Sequence, residues 1–95
     1  MECSQILFSV HALWRMFERE IHENEVLAAI RGGEMIAEFP DDTPSPSFLM
    51  LHYQEGQPLH VVAAKDEATG ACLVVTVYRP DPGRWTPDFR NRRNQ

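Results

Sequence analysis

Cysteine is scarce in this chain: Cys3 and Cys72 are the two among 95 residues, too few for a disulfide scaffold or a cysteine-rich zinc site. Long apolar runs are missing as well. No stretch reaches the roughly 18 residues that a membrane helix needs, so no membrane association is expected. The opening residues Met1-Glu2-Cys3-Ser4-Gln5 lack the basic start of a secretory signal. A cytoplasmic protein is therefore expected, with Cys3 and Cys72 as reduced thiols. There is no His-x-x-x-His, no Cys-x-x-Cys, no glycine-rich phosphate loop and no Gly-x-Ser-x-Gly elbow. Neither a metal nor another cofactor is expected.

What is present is the composition of one globular domain, with 43% hydrophobic and 24% charged residues. The net charge of −5 argues against a nucleic-acid partner, but its distribution is uneven. Residues 1–78 carry four bases (Arg15, Arg19, Arg31, Lys65) against twelve acids, a balance of −8. Residues 79–95 carry Arg79, Arg84, Arg90, Arg92 and Arg93 against Asp81 and Asp88, a balance of +3. Residues 1–86 are expected to form a single α+β domain, and 87–95 a flexible, arginine-rich tail. Such a tail suits a phosphate backbone or an acidic partner, and Trp85 is placed to anchor it to the body.

Ile6-Leu7-Phe8 reads as a short edge strand. From His11 the period becomes helical: Ala12, Leu13, Trp14, Met16, Phe17 and Ile21 fill one broad face, and His11, Arg15, Glu18 and Arg19 gather on the other. A second helix starts near His22–Asn24, buries Val26, Leu27 and Ile30, and stops at Gly32-Gly33. Four strands follow, over 34–39, 48–53, 59–64 and 71–79, with the proline-rich loop 40–46 after the first. Short turns at 55–58 and 66–70 point to a four-stranded antiparallel meander with the helices on one face. Alternation places Leu59, Val61 and Ala63, and likewise Leu73, Val75 and Val77, toward the helices. His60, Thr76 and Tyr78 then fall on the opposite face.

Two constellations could carry chemistry. His11, Arg15 and Arg19 repeat every fourth residue on one helix face, so two guanidiniums a turn apart can grip a phosphate beside an imidazole. The plain alternative is a solvated face pairing with Glu18 and Glu20. His60 and Tyr78, with His52 or Thr76 nearby, form the second. Metal-free RNA cleavage needs a base for the 2′-hydroxyl, an acid for the leaving oxygen and a cation on the phosphate. His, Tyr and Arg can fill those roles, although a histidine and a tyrosine on a sheet also serve simply as packed, hydrogen-bonded groups.

Four ordered motifs span about Ser9 to Trp85: His11-Ala12-x-x-Arg15-Met16-x-x-Arg19-x-Ile21, Pro40-Asp41-Asp42, Pro58-Leu59-His60-Val61-Val62, and Val77-Tyr78-x-Pro80-Asp81-Pro82-x-x-Trp85. Together they resemble a small bacterial family of unknown function, distantly similar to the RelE-like toxins of toxin–antitoxin systems. The resemblance implies a RelE-like toxin fold, a short N-terminal strand and two helices followed by the antiparallel meander. It also implies a metal-free ribonuclease acting on mRNA, encoded beside a zinc-finger or helix-turn-helix antitoxin. The motif positions it carries over are His11, His60 and Tyr78 as catalytic groups and Arg15 and Arg19 as substrate-binding groups. Glu20 stands where such proteins often have glycine, Phe48 where a basic residue is common, and Arg79 where an acid is frequent, so Arg79 is not counted among them.

Two functions from different classes are therefore expected to compete. One is a ribonuclease toxin. The other is a non-catalytic interaction module, a degenerate toxin or a small adaptor, in which His11 and Arg15 serve structure.

Overall fold

The computed structural model describes residues 1–94. Strand β1 (Ile6–Phe8) leads into helices α1 (Val10–Arg19) and α2 (Glu23–Gly32), followed by strands β2 (Glu34–Phe39), β3 (Ser47–Gln54), β4 (Gln57–Lys65) and β5 (Cys72–Tyr78). The sheet order is β1-β5-β4-β3-β2, and β1 lies parallel to β5 while the other pairs are antiparallel. This corrects the expected four-stranded antiparallel meander: the sheet has five strands and is mixed, within an α+β architecture. The reason is local. Three residues are too few to signal a strand by periodicity, yet Ile6, Leu7 and Phe8 register against Cys72, Leu73 and Val74.

That parallel pairing also corrects the reading of the cysteines. It brings Cys3 beside Cys72, Cα to Cα 5.6 Å, and the two form a disulfide 69 residues apart in sequence. The neighbouring chain is fixed further by Ser4 N–H on the Gly70 carbonyl at 2.9 Å and by Lys65 Nζ on the Glu2 carbonyl at 2.6 Å. No helix among the described residues is long and apolar enough to cross a membrane.

The core lies between the helices and one sheet face, built from Ala12, Met16, Ile21, Val26, Ala29 and Ile30 against Met50, Leu59, Val61, Ala63, Val74 and Val77. On β4 the alternation holds, with Leu59, Val61 and Ala63 all buried. On β5 it breaks. Val62 pairs with Thr76 but Ala63 pairs with Val74, so Val75 is an extra, bulged residue. Val74 and Cys72 therefore join Val77 in the core, while Leu73 and Val75 face away and are partly exposed. One inserted residue inverts every face assignment before it.

α1 departs from expectation as well. Its core contact is narrow, Ala12 and Met16, and Leu13, Trp14 and Phe17 are exposed. The helix follows β1 at the edge of the sheet and leans on β5, rather than lying flat across it. Ser9 sets this position: its hydroxyl caps α1 by accepting from Ala12 N–H at 3.0 Å and donates to the Val75 carbonyl at 2.9 Å. The bulge thus supplies the acceptor that docks the start of α1.

Candidate functional site

His11 stands in the first turn of α1, and its Nε2 lies 3.1 Å from Thr76 Oγ1 on β5. Beyond the bulge, Thr76 and Tyr78 alternate regularly and share the face opposite the core. Two strand residues span about 7 Å. Tyr78 pairs across the ladder with His60, and its hydroxyl lies 3.1 Å from His60 Nδ1. The order His11, Thr76, Tyr78, His60 therefore runs as one row along the outer sheet face. Sequence spacing alone could not join the two constellations.

His60 is at the inner end of that row and has no exposed surface. Its Nε2–H donates to the Phe89 carbonyl at 2.9 Å, which fixes the tautomer and leaves Nδ1 to accept from the Tyr78 hydroxyl. The indole of Trp85 stacks edge-on at 4.4 Å between ring centres and the Tyr78 ring at 5.2 Å. Burial lowers the pKa of His60 against an opposing pull from the Phe89 carbonyl, so the ring is held neutral. Burial likewise pushes the Tyr78 phenol up, with the nearby Arg92 charge opposing it. A tyrosine so placed stays protonated and can donate.

The covering segment comes from the region after β5. Trp85 and Arg92 bridge as in a small antiparallel turn, Phe89 N–H bonds the Thr86 carbonyl, and Tyr53 donates to the Asp88 carbonyl at 3.2 Å. Phe89 adopts the left-handed region, φ 58°, a costly conformation for a bulky residue that aims its carbonyl at His60. Arg90 clamps Glu34 on β2 through three N–H···O contacts of 2.7 to 3.0 Å, and Arg92 lies 5.4 Å over the Trp85 ring. Of the expected tail 87–95, Gln95 lies outside the described residues.

Arg15 is half-buried and reaches Glu18 at 3.5 Å, while Arg19 is exposed at the end of α1. Both sit on the helix that carries His11. Arg79 is committed elsewhere: it holds the buried Glu25 of α2 through two nitrogens, Nη2 to Oε1 at 2.9 Å, and also reaches the Pro58 carbonyl. His52 bonds only Gln54, at 3.4 Å, and stays apart from the row. Past Thr76 the same sheet face opens into a groove of about 740 Å³ floored by Leu7, Val62, Leu73 and Val75 and rimmed by Asp41 and Asp42. No cluster of three potential metal ligands occurs among the described residues.

Sequence reasoning placed all five expected site residues on the right elements but missed the cover over His60. The signal was weak, because Phe89 acts through its backbone carbonyl, which no side-chain motif records. No curated protein and no solved structure matches this chain. A family match does cover residues 8–79, from the last residue of β1 to the arginine after β5. It takes in His11, Arg15, Arg19, His60 and Tyr78 and stops before the covering segment. The chain belongs to the family described as Domain of unknown function (DUF4258).

Proposed function

We propose that the chain is the toxin of a type II toxin–antitoxin system, a metal-free endoribonuclease acting on mRNA. The observation that carries this reading is the 3.1 Å approach of His11 to Thr76, which sets an exposed imidazole on the same sheet face as a protonated tyrosine. His11 takes the proton of the attacking 2′-hydroxyl. Tyr78, its O–H turning from His60 Nδ1 toward the substrate, returns one to the leaving 5′-oxygen as the phosphodiester closes to a cyclic phosphate. Arg15 and Arg19 hold the phosphate and its developing charge. His60, shielded from solvent, is a positioning residue that orients the Tyr78 hydroxyl. The distant likeness of the motifs to RelE-like toxins supports the same reading, and with it a zinc-finger or helix-turn-helix antitoxin as partner.

Induced expression of wild type beside a His11→Ala/Arg15→Ala variant, with total RNA from both cultures, tests it. Growth arrest and RNA decay in the wild type alone are expected. Arrest of equal depth in both removes this helix face from the mechanism.

A second reading rests on a specific observation. His60 has both ring nitrogens engaged and no exposed surface, as in a protein whose histidine only binds its own chain together. Under that reading the domain is a non-catalytic interaction module, and well-expressed, folded protein leaves growth and RNA unchanged.

A further inference from the structure

Independently of any activity, α1 carries a surface that its own fold does not use. Val10 is 71% exposed, Leu13 51%, Trp14 61% and Phe17 78%. These four residues are spaced i, i+3, i+4 and i+7, the seam of one helix packing on another. They form a shallow, almost wholly apolar depression, with the Trp14 and Phe17 rings edge-to-face at 6.2 Å. Apolar patches of this kind on soluble proteins mark contact surfaces.

The charges beside the seam say what covers it. At 100° per residue, His11 and Glu18 flank the same side of the stripe at opposite ends, while Arg15 turns further away. A two-fold axis through the middle of the stripe lays a second α1 antiparallel on the first. Val10 then meets the partner's Phe17, and Leu13 meets the partner's Trp14. On the flank, His11 comes beside the partner's Glu18, twice by symmetry. A parallel pair would instead send the two copies of this flank to opposite sides of the seam, so that His11 and Glu18 could not meet, and would align the two helix dipoles unfavourably. Two aromatic side chains of roughly 150–250 Å² each, partly exposed, with Val10 and Leu13 beside them, give a pair on the order of 1,000 Å², the lower bound of a specific interface.

We propose that two copies of this chain associate through an antiparallel pairing of α1, with Val10, Leu13, Trp14 and Phe17 as the seam and His11 and Glu18 as reciprocal flanking contacts. The association is modest and concentration-dependent, as its area requires.

Sedimentation of the full chain across about 1 to 200 µM, a range that brackets micromolar binding, tests it. Trp14 emission should shift to the blue as copies associate, since Trp85 is already buried. Leu13→Glu and Phe17→Glu alter exposed positions, so they should keep the wild-type circular dichroism and yet weaken association by at least about tenfold. Glu18→Arg should weaken it too, and His11→Glu/Glu18→Arg should restore it. A wild type that stays monomeric at the highest concentration would overturn the proposal and leave the stripe to a different protein. Association that survives both seam variants, or a double variant no better than Glu18→Arg, would overturn the antiparallel arrangement.

Discussion

His60 Nε2 donates a 2.9 Å hydrogen bond to the carbonyl oxygen of Phe89, a residue 29 positions further along the chain. One neutral imidazole thereby joins β4 to the segment that closes over it. The bond requires Nε2–H, and the Tyr78 hydroxyl occupies the other nitrogen, so protonation would bring a charge onto a ring with no exposed surface. The pKa of His60 is lowered from 6.5. Between the folded and unfolded values, the unfolded chain binds the extra proton. Stability is therefore full above about pH 6.5 and falls as pH drops below it. The carboxylates with lowered values, Glu34 and Asp88, act only further down, below their ordinary 4.5 and 3.8. Urea unfolding at about pH 7.5 and pH 5 should show the loss in wild type and much less of it in His60→Gln. Equal slopes for the two proteins would remove His60 as the cause.

Glu25 and Arg79 make the other buried tie, from α2 to the end of β5. The Glu25 side chain is 7% exposed and that of Arg79 27%. Removing the cation leaves a carboxylate buried without its partner. Arg79→Ala should cost about 2–3 kcal/mol, less than a fully buried pair because the arginine is partly wet. The double variant Glu25→Gln/Arg79→Met should recover much of that. Chemical denaturation measures both, and a single variant as stable as wild type would contradict the account.

Glu20 closes α1 in the left-handed region, at φ 54° and ψ 44°, with its N–H on the carbonyls of the last turn. Glycine adopts this conformation freely, whereas a side chain costs about 1–2 kcal/mol. Glu20→Gly should raise stability by about 1 kcal/mol, less whatever entropy glycine adds to the unfolded chain. A thermal midpoint that falls on this substitution would show that the glutamate side chain matters more than its backbone.

The Cys3–Cys72 bond closes a loop of about seventy residues. On loop-entropy grounds it contributes about 4 kcal/mol. Denatured protein prepared without reductant should show no free thiol, and adding reductant should lower the urea midpoint. Two free thiols per chain in protein purified under oxidising conditions would return both cysteines to the reduced state first expected of them.

Much of the architecture could be read directly because it rests on periodicity. The helices, the alternation of β4 and the polar turn residues at Glu55-Gly56, both with positive φ, follow from local rules. The errors arose where tertiary geometry overrides those rules. A hydrophobic face on α1 predicts burial only if something lies over it, and the edge position of that helix leaves Leu13, Trp14 and Phe17 outside. The bulge at Val75 leaves no mark in a run of valines. Likewise, the candidate row was legible as residue types but not as a row, since the contact of His11 with Thr76 spans 65 positions. In the segment after β5 the contacts of Arg90 with Glu34 and of Arg92 with the Trp85 ring join residues that no local period connects.

The parallel strand pair has a further consequence, in the order of synthesis. Within this domain β1 is the first strand to be synthesised, and its hydrogen-bonding partner β5 is the last. A nascent chain must therefore hold Ile6–Phe8 and the beginning of α1 without their sheet until nearly the whole domain has emerged. During that interval the apolar side chains of α1 and the unpaired edge are open to other chains. Closure by β5 then secures the first strand and buries Ala12 and Met16 of the first helix together, while the outer stripe of α1 stays open in the finished fold.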